Sequence, residues 1–363
     1  MSRRFLYLLV DNTRHGTFAL RRINVSGLFY PTKPPNGSTG AAGDAKHTAN
    51  LANNAARIED AHLPRPVITF HPLSTDFETG SMQFMLFSGH GKNQIIGADQ
   101  RGRILSYNTD SHTIRLMPSL NKPKNMAMSL TVGDNFYVMD KFPQPSDMRC
   151  FEALVYGRPM NGQFGKQDWY WHALAPPPYV FEAGYEPSSH IRSYTVVRDS
   201  NICISAKDIG TYSFDTASSV WSKTGDWALP FHGCAEHVPE YNIWFGLSSV
   251  DNLLCTSDLS ATSKLKPPTL CQVWKELNPP EEWNSLMSYV VHVGSGKFCI
   301  ARFFETSEEE PCENGYVYQN YERFAVFTGV ELEPCNMAGG EFRMTTHKSK
   351  RYRFVNKVAE WVL

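Results

Sequence analysis

Hydrophobic and polar positions alternate most regularly between Tyr194 and Trp221, YTVVRDSNICISAKDIGTYSFDTASSVW. Two apolar runs with a period of two are followed by Gly210, then by a third run ending in Phe214-Asp215-Thr216; Trp221 comes five residues later. A two-residue period places alternate side chains on one face of a strand. The stretch therefore predicts strand, turn, strand, glycine turn, strand, tight turn, strand: one four-stranded antiparallel blade.

The same order recurs along the chain. Met82–Phe87, Gln94–Ala98, Arg103–Tyr107 and Thr113–Met117 make one unit, and Met126–Val132, Asn135–Met139, Phe151–Tyr156 and Trp169–Leu174 the next. After the Tyr194–Trp221 unit, a fourth runs from Glu236 to Leu277. A fifth runs from Ser288 to Leu332, crossing an acidic loop at Glu308-Glu309-Glu310. A spacing of roughly 45 to 50 residues matches the repeat of a propeller blade. A β-sandwich would explain the number of strands but not their repeated order. Residues 1–31 predict two strands, 32–66 a low-complexity mobile loop with a short helical turn near Leu51–Ile58, and 67–341 the repeated blades. Residues 342–363 predict further strands that join the N-terminal pair in a closing blade. The expectation is an all-β, six-bladed propeller whose sheet edges are removed by closure.

Composition supports a globular protein without indicating a ligand. The chain has 363 residues, 42% hydrophobic and 13% aromatic, with a formal net charge of −1, which gives no electrostatic push toward nucleic acid. Its eight cysteines include no C-x-x-C pair; Cys203, Cys255 and Cys299 sit inside apolar strand patterns, where a thiol acts as a small buried hydrophobe. MSRRFLYLLVDN is too short in its apolar part for a signal peptide, and no stretch approaches the roughly 18 apolar residues of a membrane span. A reduced cytoplasmic or nuclear protein is expected.

Gly210-Thr-Tyr212-Ser-Phe214-Asp215-Thr216 with Trp221 resembles the second half of a kelch repeat, and Gly102-Arg-Ile-Leu-Ser-Tyr107-Asn-Thr109-Asp110 resembles the same half, with Thr113 or Ile114 at the tryptophan position. The double glycine of that repeat is missing. The resemblance implies that Tyr212 and Trp221 pack between neighbouring blades and that the Asp-Thr turn accepts backbone hydrogen bonds. Over its full length the chain is similar to an uncharacterised kelch-like propeller family expanded in rice and other grasses, a domain of unknown function. Ser2–Val10, Leu28-Phe-Tyr-Pro31, Leu63-Pro-Arg-Pro66, Tyr212–Thr216 and Pro239–Gly246 carry that likeness.

Candidate chemistry is sparse. His232, Cys234 and His237 form a metal-like cluster, but zinc needs three or four converging ligands and no second group completes the set; no metal and no cofactor are expected. Gly89-His-Gly91-Lys92 and Gly294-Ser-Gly296-Lys297 fail the phosphate-loop pattern: Leu86 and Val291 replace its first glycine, while Asn93 and Phe298 follow the lysines. Both read as hairpin turns. There is no G-x-S-x-G elbow, so no catalytic residue is assigned. Lys348, Lys350, Arg351 and Arg353 make a local basic patch on a strand and turn. Trp169, Trp171 and Tyr179, in an aromatic and proline-rich insertion, are the expected protein-binding rim. The sequence thus predicts a non-enzymatic interaction module with a protein partner, no membrane and no nucleic acid. The alternatives are an enzyme or small-molecule binder using a central channel, or a nuclear factor acting through the basic patch.

Overall fold

The computed structural model describes residues 3–12, 15–31, 58–72, 81–89, 93–158, 167–186, 188–260, 266–275, 279–311, 317–335, 341–354 and 358–363. Among them the chain is all-β, with two four-residue 3-10 turns, Val25–Leu28 and Pro178–Phe181, and no α-helix. Two compact units divide it. Met1–Phe70, Asn252–Leu254 and Gln272–Val362 form one, and His71–Asp251, Cys255–Cys271 and Leu363 the other.

In chain order the strands are β1 (Phe5–Asn12), β2 (Thr17–Asn24), β3 (Ile58–Ala61) and β4 (Pro66–Phe70), then β5 (Met82–Phe87), β6 (Gln94–Asp99), β7 (Ile104–Asn108) and β8 (Thr113–Met117). They continue as β9 (Met128–Val132), β10 (Asn135–Met139), β11 (Phe151–Gly157) and β12 (Asp168–Ala173), then β13 (Ile191–Val197), β14 (Asn201–Ala206), β15 (Gly210–Asp215) and β16 (Val220–Gly225). Next come β17 (Phe231–Val238), β18 (Ile243–Ser248), β19 (Leu254–Ser257) and β20 (Leu270–Val273). The last are β21 (Asn284–Gly294), β22 (Lys297–Pro311), β23 (Val317–Pro334), β24 (Phe342–Arg353) and β25 (Val358–Val362).

Sheet order follows chain order in four-stranded meanders. β5 to β8 form one sheet and β9 to β12 another. β13–β16 and β17–β20 are two meanders fused into an eight-stranded sheet by a short parallel contact, Ser193 opposite Gly233 and Tyr194 opposite Cys234. The Tyr194–Trp221 stretch is thus one meander, as its alternation predicts. Both faces of its middle strands are covered: every residue of β14 after Asn201, and of β15 up to Phe214, is buried. The outer strand β16 is largely exposed. Gly210 is required where it stands, because its φ is +112° and a Cβ there would lie 2.5 Å from the Gly225 carbonyl oxygen.

Strands from both chain ends share one sheet, in the order β25-β1-β2-β4. Only Val358–Val362 joins it from the C-terminal side. Phe342–Arg353, expected alongside the N-terminal strands, instead pairs with β23 from Phe324 to Pro334 and completes the sheet β21-β22-β23-β24-β3. β22 pairs with β23 along one edge, from Lys297–Glu331 to Pro311–Val317, and the opposite edge of β23 takes β24. The acidic run 308–310 accordingly lies inside β22 rather than in a loop. Of the segment expected as a mobile loop, residues 32–57, with the helical turn placed there, lie outside the described residues, and Ile58–Ala61 forms β3.

Each unit has its own apolar core. In the first, Leu6, Leu8 and Val10 of β1 meet Phe303, Phe327 and Tyr352. In the second, β5–β8 packs on β9–β12 through Phe87, Ile96, Phe136 and Leu154. β9–β12 packs on β13–β16 through Phe151, Ile204, Tyr212 and Phe214.

Candidate functional site

The half-repeats noted in the sequence build the same turn. At the β15–β16 turn, Thr216 donates its backbone N–H (3.1 Å) and hydroxyl (2.8 Å) to the Ser200 carbonyl, while Asp215 Oδ1 accepts from the Ala217 N–H at 2.9 Å. At the β7–β8 turn, Thr109 donates both groups to the Asn93 carbonyl (3.3 and 3.0 Å), and Asn108 Oδ1 accepts from the Asp110 N–H at 3.0 Å. A side-chain acceptor before a threonine thus fixes both tight turns. The pairing Phe214–Trp221 in one meander corresponds to Tyr107–Ile114 in the other, which places Ile114 at the tryptophan position.

Trp221 packs on Phe214 and on Phe151 of the preceding meander, and its indole donates to the Ala175 carbonyl at 2.8 Å. Tyr212 is buried and donates to Glu182 Oε1 at 2.9 Å. Trp171 repeats the tryptophan device one meander earlier, donating to the Pro118 carbonyl at 2.8 Å. These groups hold meanders together. The expected aromatic rim therefore needs correction. Trp169 is buried against Phe87 and Tyr156, and Tyr179 is buried against Tyr185 and Tyr212. The apolar area that made them attractive as anchors is consumed by packing inside the unit. Trp171 keeps part of its surface but is committed to Pro118.

Among the described residues, part of the uncovered apolar surface lies on the outer strand β8. Four successive residues of β8, Thr113 to Leu116, are exposed; Ile114 is 54% and Leu116 81% accessible. The two point to the same side of the strand, and among the described residues β8 pairs only with β7. Tyr156 and Val220 add exposed apolar surface on β11 and β16. The periodicity of TIRLM shows a strand; which face is covered is set by distant partners, so sequence reasoning missed this surface.

His232, Cys234 and His237 all lie on β17, whose pairing with β18 shifts register between His232 and Glu236. His237 stacks on Trp244 with ring centroids 4.3 Å apart and faces Asn242 Oδ1 at 3.2 Å. No group of three or more metal-ligating side chains converges among the described residues.

The four basic residues share β24 but not one environment. Arg351 forks onto Asp60 at 2.6 and 3.0 Å, and Arg353 reaches Glu322 at 3.2 Å. Lys348 stands over the Tyr30 ring at 5.3 Å, and Lys350 lies beside Gly27. Neighbouring His347 accepts from the Tyr30 N–H through Nδ1 (3.2 Å), so its proton sits on Nε2, which donates to Glu331 at 3.0 Å. Burial lowers its pKa, against the opposing pull of Glu331. Two of the four, Arg351 and Arg353, are thus paired with carboxylates.

The most polar interior belongs to the β9–β12 meander and the segment before it. Lys124 and Glu152 form a buried pair at 2.5 Å. Lys124 Nζ also donates to the Lys122 and Arg149 carbonyls, both at 2.7 Å. Glu152 accepts from the backbone N–H of Asn121 (3.0 Å) and Lys122 (3.2 Å) and from the Asn121 amide. All three ammonium protons are thereby used, which marks a clamp rather than a catalytic pair. Nearby, burial raises Asp140 to about 6 and Cys150 to about 12, so that thiol is no nucleophile at neutral pH. A cavity of ≈ 20 Å³ is lined by Met128, Leu130, Tyr137, Met139 and Phe151 among others. It has room for about one water molecule.

A family model described as a protein of unknown function, DUF1668, matches residues 3–352. No curated protein matches the chain. Similar solved structures include dihydro-heme d1 dehydrogenase NirN in complex with DHE, at 10% identity and a TM-score of 0.35, covering 96% of this chain and 75% of that one. They also include the WD40 domain of SCAP from fission yeast, at 8% identity and a TM-score of 0.35, covering 95% and 85%.

Proposed function

We propose that this chain, which belongs to the DUF1668 family, is a non-enzymatic protein-interaction module built on a six-bladed, kelch-like propeller of the kind expanded in rice and other grasses. Its blades are the four-stranded meanders, and the sheet that combines β25 with β1, β2 and β4 is the closing one. It binds a protein partner in the cytoplasm or nucleus, a reading favoured by the thiols of the described cysteines, none of which is in a disulfide.

The observation that carries the binding role is the bare outer strand β8, with Ile114 and Leu116 both exposed. Contiguous exposed apolar side chains on a strand with one open edge suit a partner that covers them. The buried pair Lys124 and Glu152 is spent on each other and on nearby backbone groups, which suits a structural clamp. Affinity capture with the tagged chain is expected to enrich a partner that Leu116→Arg loses while its circular dichroism stays unchanged. Equal recovery by wild type and Leu116→Arg would overturn this assignment.

A further inference from the structure

β3 breaks the meander order. It is the fifth strand of its sheet, added in parallel to the outer edge of β24 with Ile58, Glu59, Asp60 and Ala61 opposite Ser349, Lys350, Arg351 and Tyr352. Nothing in the sequence Ile-Glu-Asp-Ala favours a strand: it lacks alternation and carries two acids, which are depleted in sheets. Its position is set by its partner. Two carboxylates lie on a strand that presents Lys350, Arg351 and Arg353, and Asp60 receives the Arg351 fork with Arg353 3.9 Å away.

Little apolar burial holds β3 there. Ile58, Glu59 and Asp60 are exposed, and only Ala61 and the following Leu63 rest on the core, each partly buried. The contact consists of a four-residue backbone ladder, one charged fork and two small apolar anchors. That is how an extended peptide binds a sheet edge, with main-chain bonds giving affinity and alternate side chains giving specificity.

We propose that the Ser349–Tyr352 edge of β24 is a docking edge for an acidic extended segment of a protein partner, and that Ile58–Ala61 is its in-chain occupant. The segment recognised has a carboxylate opposite Arg351, a small residue next, and an aliphatic residue two further on, as in Asp60-Ala61-His62-Leu63. Arg351 reads the carboxylate in bidentate geometry, which lysine could not reproduce. The small residue is required where Ala61 meets the core. Docked in cis, β3 lowers the apparent affinity for any such segment by the fraction of molecules in which the edge is free. The inference rests on the interaction-module reading and adds a second surface to it, separate from β8.

The test uses the full chain and a fluorescent peptide of residues 58–63. In Asp60→Arg the in-chain strand faces two arginines and leaves the edge, so the peptide is expected to bind about tenfold or more tighter than to wild type, as removal of a mostly docked competitor requires. Adding Arg351→Glu should abolish that binding. The transfer to a peptide carrying Asp60→Arg is read in Glu59→Gln with Asp60→Asn and Arg351→Glu, where the neutral in-chain strand does not re-pair with the new carboxylate. Should Asp60→Arg fail to fold, Glu59→Gln with Asp60→Asn removes the charge attraction and is read in the same way. Equal peptide affinity for the variants and wild type, or binding indifferent to the charge exchange, would overturn the proposal. If that happens while Leu116→Arg still loses its partner, the docking edge falls and the interaction module stands.

Discussion

Asp140 is a single residue whose environment can be read out by titration. Burial is the main cause of its rise to about 6, opposed by the Asn125 N–H it accepts at 2.6 Å and by Lys124. A raised carboxyl pKa means that the folded state binds the proton more tightly than the unfolded chain. Between the ordinary value of 3.8 and about 6, stability therefore falls as pH rises, and the loss is complete above that window. Asp140→Asn keeps an acceptor oxygen and removes the charge. Denaturant unfolding should show it more stable than wild type at pH 8, by up to about 3 kcal/mol. The gain should shrink below pH 6 and be smallest near pH 4. A gain independent of pH would mean that Asp140 is ionised without cost. At this scale the sequence was readable where one residue fixes its own neighbourhood, as with the Asp215-Thr216 turn and Gly210. It was silent on Asp140, Lys124 and Glu152, because their roles depend on groups 15 to 31 positions away.

At the scale of elements, the repeated tryptophan explains how successive meanders are fastened. Trp171 and Trp221 each reach back to a carbonyl just beyond the outer strand of the preceding meander, Pro118 and Ala175. Trp221→Phe keeps most of the ring packing on Phe151 and Phe214 but leaves the Ala175 carbonyl without this donor. Thermal or chemical unfolding should register a loss of about 1 kcal/mol; no loss would assign the interlock to ring packing alone. Strand positions were legible because alternation and turn residues are local signals. The partner of each strand was less so: β24 was expected beside the N-terminal strands and β3 was not expected at all, since both depend on pairing with a distant edge. The aromatic insertion shows the same limit. Trp169 and Tyr179 have the composition of a binding rim, but neighbouring meanders bury them.

For the whole molecule, the four-stranded meanders bury most large apolar residues among those described and leave Ile114 and Leu116 exposed on the outer strand β8. Ile114 illustrates how a surface arises from a repeat: it occupies the position where Trp221 fastens its own meander, yet stays exposed. A repeated strand position left uncovered in one meander is a natural place for a partner to bind. Hydrogen exchange comparing the isolated chain with its captured complex tests this most directly. Amides of Thr113–Met117 in β8 are expected to become protected in the complex. Protection confined to other strands, with β8 exchanging as fast as in the free chain, would contradict it.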